Sequence, residues 1–341
     1  MRIAIIGAGV AGSFLASILN REHNVEVFES SKREEHFPVC AWGTSRYMLE
    51  YYSKLADLNF DDYILHIGKK IEMRLPTGEK EFLDCNGLVT YDKERWEKDL
   101  LSKVRVNYGI RVSSDTFPLH RYDYVLDCTG FHRTMLPHVD DFIVPAYEYL
   151  LENVKHDEFY IIGYKNATGY FWYFPLNNNR AFVGAGDVKK VYHGMEEFFN
   201  ENKDVKIIRK IGRPIRITPP TKMEPFSDRN IIGVGESIGC VFPLLGEGII
   251  PSLICSEILL NSIISNKIDI ARYRNEVIKR FRYYDNVYRL VRLLIENRFS
   301  KIKHVNIIYS IYRNMKREEK RFGFEINLNK LRRILNSLHN I

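Results

Sequence analysis

The first thirty residues combine a short apolar run with a later alternation of apolar and polar positions. Residues 3–6 are all apolar, which is typical of a buried parallel strand. Glycines follow at positions 7, 9 and 12, where a turn is expected to lead into a helix. Val25 and Val27 then alternate with polar side chains up to Glu29, which predicts a second strand. The pattern therefore predicts a strand–turn–helix–strand unit.

The spacing of these glycines indicates a site for a dinucleotide. The first glycine allows a tight turn, the second lets the backbone approach a pyrophosphate, and the third lets the helix pack against the strand. The helix start offers free N–H groups to phosphates, and an acid at the end of the second strand accepts ribose hydroxyls but repels a 2′-phosphate. We therefore expect an ADP-ribose moiety, of NAD or of FAD, to be held by Gly7, Gly9, Val10, Ala11, Gly12, Glu29 and Ser30.

The other patterns predict an α/β protein in which two excursions interrupt the nucleotide-binding domain. That domain and its parallel sheet are assigned to residues 1–45, 87–140 and 226–265, with helices at 94–103 and 249–264 and strands at 124–126 and 231–234. The excursions, 46–86 and 141–225, predict an antiparallel sheet in a substrate (cap) domain. Its elements are a hairpin turning at 76–78, strands at 158–164, 170–175, 181–186 and 213–218, and a helix at Met195–Glu201. Residues 266–341 predict a C-terminal helical tail, with one amphipathic helix over 271–298.

A second glycine-rich segment occupies residues 230–250, where an apolar strand and a glycine turn precede a helix. It resembles the third FAD motif of the geranylgeranyl reductases, flavoproteins of the hydroxybenzoate-hydroxylase fold group. The resemblance implies a Rossmann-like FAD-binding domain with FAD as the dinucleotide. It assigns to the cofactor Gly235, Glu236, Gly246, Glu247, Gly248 and Ile249. Glu236 stands where relatives have an Asp that binds the ribityl chain.

Shorter motifs carry the same resemblance. Residues 170–175 are similar to the family's Tyr-x-Trp-x-Phe-Pro strand, and residues 38–40 to its Pro-x-Cys segment, which brings a cysteine near flavin and substrate. Residues 127–130, which end at Gly130, resemble the second FAD motif. Lys93 stands where relatives have an Arg that faces the FAD, and Ala41 and Trp42 replace the family's usual Gly-Asp. The chain is thus expected to be a short and diverged member of that family.

The resemblance implies reduction of isolated C=C bonds in a geranylgeranyl or other polyprenyl chain, or in a prenyl lipid. Such an alkene is not electrophilic, so proton delivery must accompany hydride delivery. Cys40, Tyr170 and Tyr173 are the candidate acids, and an apolar tunnel is expected along Trp42, Tyr170, Trp172, Phe174 and Pro243. NAD(P)H, ferredoxin or a quinol is the expected electron donor. The alternatives are a flavin monooxygenase or hydroxylase of the same fold and a flavin-binding protein without catalysis.

Composition and charge indicate whether the chain folds, in which compartment it works and what its surface contacts. An apolar content of 45% in 341 residues excludes a disordered chain. Five cysteines without paired spacing predict a reducing, cytoplasmic protein without a disulfide framework, and no metal-binding motif is present. Much of the formal charge of +7 lies in the tail. We expect a solvated helical face there or, alternatively, peripheral contact with anionic lipid; no nucleic-acid motif accompanies the charge.

Overall fold

A computed structural model describes residues 1–300 and 302–339; Lys301 and the last two positions of the predicted tail lie outside the described residues. Its strands are β1 Arg2–Ile6, β2 Asn24–Glu29, β3 Gly43–Ser45, β4 Ile64–Ile67, β5 Lys70–Arg74, β6 Lys80–Asp84, β7 Leu88–Tyr91, β8 Arg105–Tyr108, β9 Tyr124–Asp127, β10 Ile143–Val144, β11 Ala146–Glu152, β12 Phe159–Gly163, β13 Gly169–Pro175, β14 Arg180–Asp187, β15 Lys206–Gly212, β16 Ile215–Arg216, β17 Ser227–Asp228, β18 Ile231–Gly233, β19 Ile263–Ile264 and β20 Lys267–Ile268. Its helices are α1 Val10–Leu19, α2 Arg46–Leu55, α3 Lys93–Leu100, α4 Met195–Glu201, α5 Ile249–Leu260, α6 Ile270–Phe281, α7 Tyr284–Ile295, α8 Val305–Arg317, α9 Glu319–Phe322 and α10 Leu328–His339.

The first sheet is the expected parallel one. Its six strands run in the order β17-β18-β9-β1-β2-β8, and all pairs except β17 with β18 are parallel. Residues 3–6 of β1 are almost fully buried because sheet neighbours lie on both sides, helix α1 packs on β1 and β2, and helix α5 packs on α1. The strand order places the ends of β1, β2, β9 and β18 next to one another. The predicted α/β class, with its Rossmann-like parallel sheet, is confirmed.

The second sheet has seven strands in the order β15-β11-β14-β13-β12-β5-β6. Its pairs are antiparallel except β12 with β5. Residues along β13 alternate between the two faces, as the period of a strand requires. Phe171 and Tyr173 pack under α4 in a separate aromatic core with Phe198. The opposite face of the sheet turns toward the parallel sheet, and the space between the two sheets is the site described below.

The first excursion, residues 46–86, is divided between the two sheets. Its hairpin, β5 with β6, joins the edge of the seven-stranded sheet. Helix α2 instead packs on the core of the parallel sheet, where Leu49 and Tyr52 are buried. Between them β4 pairs with β7, and β7 with β3, in a small third sheet. The segments of this excursion thus pack in three different places. The division of the chain into domains remains a prediction.

Helix α5 ends at Leu260, four residues before the predicted end. The reason is a hairpin: β19 pairs with β20 across Ser265 and Asn266, which have φ values of 48° and 59°. Two consecutive residues with positive φ form the tight turn that antiparallel strands favour, and Asn tolerates this conformation. The apolar Ile263 and Ile264 continue the helical pattern, so hydrophobicity alone extends the helix too far.

The single helix predicted over 271–298 is wrong, because the chain forms α6 and α7 with a break at Arg282 and Tyr283. The buried positions continue in phase through the break, with Phe281 and Tyr284 both in the core. No glycine or proline marks it. In the second excursion the strand predicted at 213–218 is reduced to β16, and sequence analysis missed β11 and β15.

Candidate functional site

A cavity of about 810 Å³ lies between the strand ends of the parallel sheet and the inner face of the seven-stranded sheet. Most of the predicted site residues line it: Gly7, Gly9, Val10, Ala11, Glu29, Ser30, Cys40, Trp42, Lys93, Gly130, Tyr170, Trp172, Phe174, Glu236, Pro243, Gly246, Glu247, Gly248 and Ile249. Gly12, Gly235 and Tyr173 are not in its lining. The fold therefore brings the separate sequence motifs together at one cavity.

The glycines of the first turn differ in what surrounds them. A Cβ on Gly7 would lie 2.5 Å from the Cys128 carbonyl oxygen, and one on Gly12 would overlap the Gly7 carbonyl. Gly7 also has a φ of 99°, which favours glycine. At Gly9 no protein atom lies within 4 Å of the corresponding point. Two glycines are thus required by backbone packing, whereas Gly9 presents bare backbone to the cavity.

The Glu29 carboxylate lies beside that turn. It accepts hydrogen bonds from the Ala8 N–H at 2.9 Å and the Ser31 N–H at 2.8 Å. Burial by itself raises the pKa of Glu29, but these backbone hydrogen bonds outweigh burial and hold the pKa below its usual value. The group is therefore ionised near neutral pH. A carboxylate has about four acceptor positions, so capacity remains for ligand hydroxyls.

Lys93 is buried at the start of α3 and forms an ion pair of 2.7 Å with Glu97, one turn along the helix. The imidazole of His36 lies between Glu97 and Glu29, at 3.9 Å from a carboxylate oxygen of each. The predicted phosphate contact of Lys93 remains a prediction. In the structure its ammonium group is neutralised by Glu97.

Glu236 follows the last strand of the parallel sheet and points across the cavity to Arg213. Its carboxylate accepts a hydrogen bond of 3.0 Å from the Arg213 guanidinium. A Cβ on Gly130 would overlap that guanidinium and would lie 3.0 Å from the Glu236 carboxylate. Gly130 therefore leaves the space in which the two charged groups meet.

The second glycine turn is held at the start of α5. The Glu247 carboxylate accepts a hydrogen bond from the Ile250 N–H at 2.9 Å. It also forms an ion pair of 2.5 Å with the Arg321 guanidinium. Gly246 has a φ of 62°, so an L side chain there is strained. Acid and arginine fix the turn, and the helix start stays directed at the cavity.

Cys40 and Trp42 form part of the wall on the side of the small third sheet. The Trp42 indole donates to the Pro38 carbonyl at 3.0 Å, which fixes the loop around Cys40. Burial raises the pKa of the Cys40 thiol to about 11, with a smaller opposing effect of Lys93. Cys40 is therefore a neutral thiol near neutral pH.

The residues of β13 that were predicted to line the tunnel or to act as acids lie on two opposite faces of the strand. Tyr170, Trp172 and Phe174 line the cavity. Tyr173 lies on the opposite face, where its hydroxyl donates to the His156 carbonyl at 2.5 Å. The prediction that Tyr173 is a tunnel acid is wrong because strand alternation directs it into the core under α4. The Tyr170 hydroxyl donates to the Leu245 carbonyl.

Sequence analysis missed several charged residues of the cavity, among them Arg213, Arg321, Lys330 and, on β11, Glu148. Glu148 on β11 lines it and is only 2% exposed. Its strand was not predicted, so its face was not known. The available signal was the alternation of residues 146–150, which puts Glu148 on the same face as the apolar Leu150.

One arm of the cavity is apolar and extends away from the glycine turns. Ile71, Met73 and Leu83 of the hairpin and Ile161 of β12 form one side. Helix α10 forms the other side through Leu331, Ile334, Leu335 and Leu338. This arm offers a path for a long hydrocarbon group. Glu29 and Glu236 lie at the strand ends of the parallel sheet, whereas Glu148 lies on the seven-stranded sheet and Lys330 on α10.

Comparison with solved structures identifies the architecture as the FAD-binding Rossmann-like fold. A geranylgeranyl bacteriochlorophyll reductase-like protein from Thermoplasma acidophilum superposes with a TM-score of 0.72, at 16% identity over 98% of this chain and 95% of that one. PqsL of Pseudomonas aeruginosa, described as a probable FAD-dependent monooxygenase, gives 0.64 at 14% identity over 91% and 99%. BrvH, a flavin-dependent halogenase from Brevundimonas sp. BAL3, gives 0.64 at 14% identity over 88% and 79%.

Sequence comparison adds one relative without a known activity. An uncharacterized protein of Methanocaldococcus jannaschii is 23% identical over 89% of this chain and 94% of its own length. No family model matches the chain. At these identities the likeness defines the fold and leaves the activity open.

Proposed function

We propose that the protein is an FAD-dependent oxidoreductase that reduces C=C bonds of a geranylgeranyl or other polyprenyl chain or prenyl lipid. The observation that carries the proposal is the single cavity in which a dinucleotide-type glycine turn and an apolar arm meet. The structural neighbours, which include FAD-dependent and flavin-dependent proteins, support the cofactor. The neighbour described as geranylgeranyl bacteriochlorophyll reductase-like supports the substrate class.

The residues around the first turn suit an FAD molecule. Bare backbone at Gly9 and the start of α1 suit the pyrophosphate, and ionised Glu29 suits the adenosine ribose. Glu236 and Arg213 suit the ribityl hydroxyls, and the start of α5 at Gly246 suits the electron-rich edge of a reduced ring.

Bound FAD would supply hydride transfer, and the chain would supply alignment and a dry environment. The apolar arm between the hairpin and α10 would hold the hydrocarbon. Trp172 and Phe174 on β13 and Trp42 opposite them would restrict the alkene to a narrow range of positions. NAD(P)H, ferredoxin or a quinol would deliver electrons from outside the cavity.

Purification with and without added FAD tests the cofactor. We expect a yellow protein, or one that becomes yellow on reconstitution, and a colourless protein that never takes up FAD would contradict the proposal. Under anaerobic conditions the chemically reduced protein should be reoxidised by geranylgeranyl lipid. Its saturated analogue, which has the same length but no C=C bond, is the control.

The same experiment in air distinguishes alkene reduction from the alternative, a flavin monooxygenase activity. A hydroxylase would consume oxygen with NAD(P)H and form an oxygenated product. Reoxidation by oxygen with product hydroxylation, and none by the alkene, would favour that alternative. Stable binding of FAD without either reaction would favour a flavin-binding protein.

We also propose peripheral contact with a lipid surface. Within the described ranges, no helix has the length and apolar character needed to cross a membrane. The segment around the start of α8 exposes Ile302, Val305 and Tyr309, with exposed fractions of 89%, 48% and 54%. Lys303 and Arg313 are exposed beside them. Apolar residues among cationic ones suit an anionic membrane surface, which a prenyl lipid substrate would require.

A further inference from the structure

A carboxyl group lies in the row of residues that crosses the inner face of the seven-stranded sheet. The register places Glu148 on β11 opposite Gly184 on β14, and Gly184 opposite Trp172 on β13. Since Gly184 has no side chain, the two larger residues meet above it. A Cβ at Gly184 would lie 2.6 Å from the Glu148 Cβ and would overlap the Trp172 ring. Ile211 and Ile161 extend the row on either side.

Glu148 is buried beside the Trp172 indole, and its carboxyl makes no hydrogen bond of normal geometry. Its side chain is 2% exposed, and among the described residues neither carboxyl oxygen has a partner of normal geometry. The Trp172 indole N–H points at this carboxyl but likewise makes no hydrogen bond of normal geometry. Buried polar groups are nearly always paired in folded proteins. Glu148 and Trp172 both line the cavity, so this carboxyl and this N–H lie side by side in its wall.

The surroundings favour the neutral acid. Burial raises the pKa of Glu148 to about 8, and the nearby Trp172 N–H and the Lys93 ammonium lower it only in part. Lys93 is itself paired with Glu97, and the Cys40 thiol is neutral. The adjacent strands present Gly184, Trp172 and Ile211. Near neutral pH Glu148 therefore carries a proton.

We propose that Glu148 is the proton donor of the cavity, a role that rests on the proposed alkene reduction. As the π bond opens, Glu148 would give its O–H proton to one carbon, and reduced FAD, if bound, would supply the hydride for the other carbon. The alkene would thereby gain two electrons and two hydrogen atoms, and Glu148 would be left as a carboxylate. Water would return the proton to Glu148, and the external electron donor would replace the two electrons.

The acids predicted from the sequence are weaker than Glu148. Burial raises the pKa of Cys40 to about 11 and raises that of Tyr170 above its ordinary value. The Tyr170 hydroxyl already donates to Leu245. A proton donor works best when its pKa lies near the working pH, and among these groups Glu148 meets that condition.

Infrared spectroscopy tests the protonation state without any assay of activity. Wild type near neutral pH should show the carbonyl stretch of a protonated carboxyl that Glu148→Gln lacks. The band should disappear with a midpoint near the pKa of about 8. Glu152→Gln is the matched control, because Glu152 lies on the same strand but its side chain is 39% exposed. If the band is unaffected by Glu148→Gln, or if it is absent at pH 7, the proposal is overturned.

Single-turnover oxidation of the reduced protein by a prenyl alkene tests the role. We expect Glu148→Gln to slow the reaction by about a hundredfold or more, Glu148→Asp to restore part of it and Glu152→Gln to leave it unchanged. In wild type the rate should fall about tenfold per pH unit above the pKa of Glu148, because the protonated form is lost. That decline needs no variant, so it decides the matter even if Glu148→Gln does not fold.

The two proposals fail in different ways. If wild type reduces no alkene, the proposed function and the proton-donor role fall together. If wild type reduces the alkene and Glu148→Gln does so at the same rate, only the role of Glu148 is overturned.

Discussion

Arg321 donates a hydrogen bond of 2.5 Å to Glu247 and thereby joins the C-terminal helices to the glycine turn at the start of α5. The same guanidinium donates to Glu318 at 2.8 Å and to the Tyr283 hydroxyl at 2.9 Å. Arg321 is 4% exposed. The turn that faces the cavity is thus fixed by a residue more than seventy positions away.

Replacement of this arginine should destabilise the protein. Arg321→Ala removes the cation that pairs with Glu247 and Glu318, two partly buried carboxylates, although Glu318 keeps Arg280. A broken buried ion pair costs about 3–5 kcal/mol, and we expect the lower end of that range. The free energy of unfolding from urea denaturation should fall by about that amount. Arg317→Ala, an exposed arginine at the end of α8, is the control and should change little. Equal changes in the free energy of unfolding in the two variants would show that the contact of Arg321 with Glu247 does not stabilise the fold.

Glu29→Ala should weaken FAD binding. The carboxylate is ionised and positioned by the Ala8 and Ser31 N–H groups, and each hydrogen bond to a charged group contributes about 1.5–3 kcal/mol. FAD occupancy after purification, measured from absorbance, should fall markedly. Glu22→Ala, at an exposed position after α1, should keep full occupancy. A fully yellow Glu29→Ala protein would count against the dinucleotide site.

Gly184→Ala should disturb the row that contains Glu148 and Trp172. The added methyl has no space between them, and overpacking of this kind costs about 1–3 kcal/mol. Gly212→Ala on β15 is the matched control, because its Cβ would meet its nearest neighbour at an ordinary 3.7 Å. Urea denaturation compares the two. A Gly184→Ala protein as stable as the control would mean that Trp172 moves aside freely.

Cys40 should be unreactive toward iodoacetamide near neutral pH. The thiolate is the reactive form, and burial raises the pKa of this thiol to about 11. Alkylation, followed by mass spectrometry of the Cys40 peptide, should accelerate only as the pH approaches that value. If Glu148 supplies the proton, Cys40→Ala keeps most of the turnover. Rapid alkylation at pH 7 would contradict the raised pKa.

The proposed membrane contact predicts binding to anionic vesicles. Ile302→Asp removes the most exposed of the apolar side chains at the start of α8 and adds a repelling charge. Co-flotation with phosphatidylserine vesicles should fall, and added salt should weaken what remains. Val191→Asp, at another exposed apolar position, is the control. Loss of flotation in both variants alike would argue against a specific surface.

The first glycine turn and Glu29 were predictable because a strand, a turn and a helix follow one another directly in the sequence there. Gly7 and Gly12 are required by close backbone contacts, and Glu29 ends a strand whose alternation is clear. Helix α4 was predicted with its observed bounds, and Trp172 with its observed face. Local rules sufficed for these elements.

The remainder depends on pairing between distant segments. Glu148 acquires its burial from β14 and β15, and neither partner is apparent from the residues of β11. Tyr173 was misplaced because tyrosine suits a catalytic wall and an aromatic core equally well. The break between α6 and α7 leaves the apolar period intact, so the period gives no sign of it. Register and tertiary packing, rather than composition, decide these cases.

The walls of the cavity come from the whole length of the chain, from Ile6 in β1 to Leu338 in α10. A ligand seated there touches segments that meet only after both sheets and the last helix have docked. Since a ligand that binds only the native state stabilises all of it, the loaded molecule should resist proteolysis even at α10, far along the chain from the glycine turn.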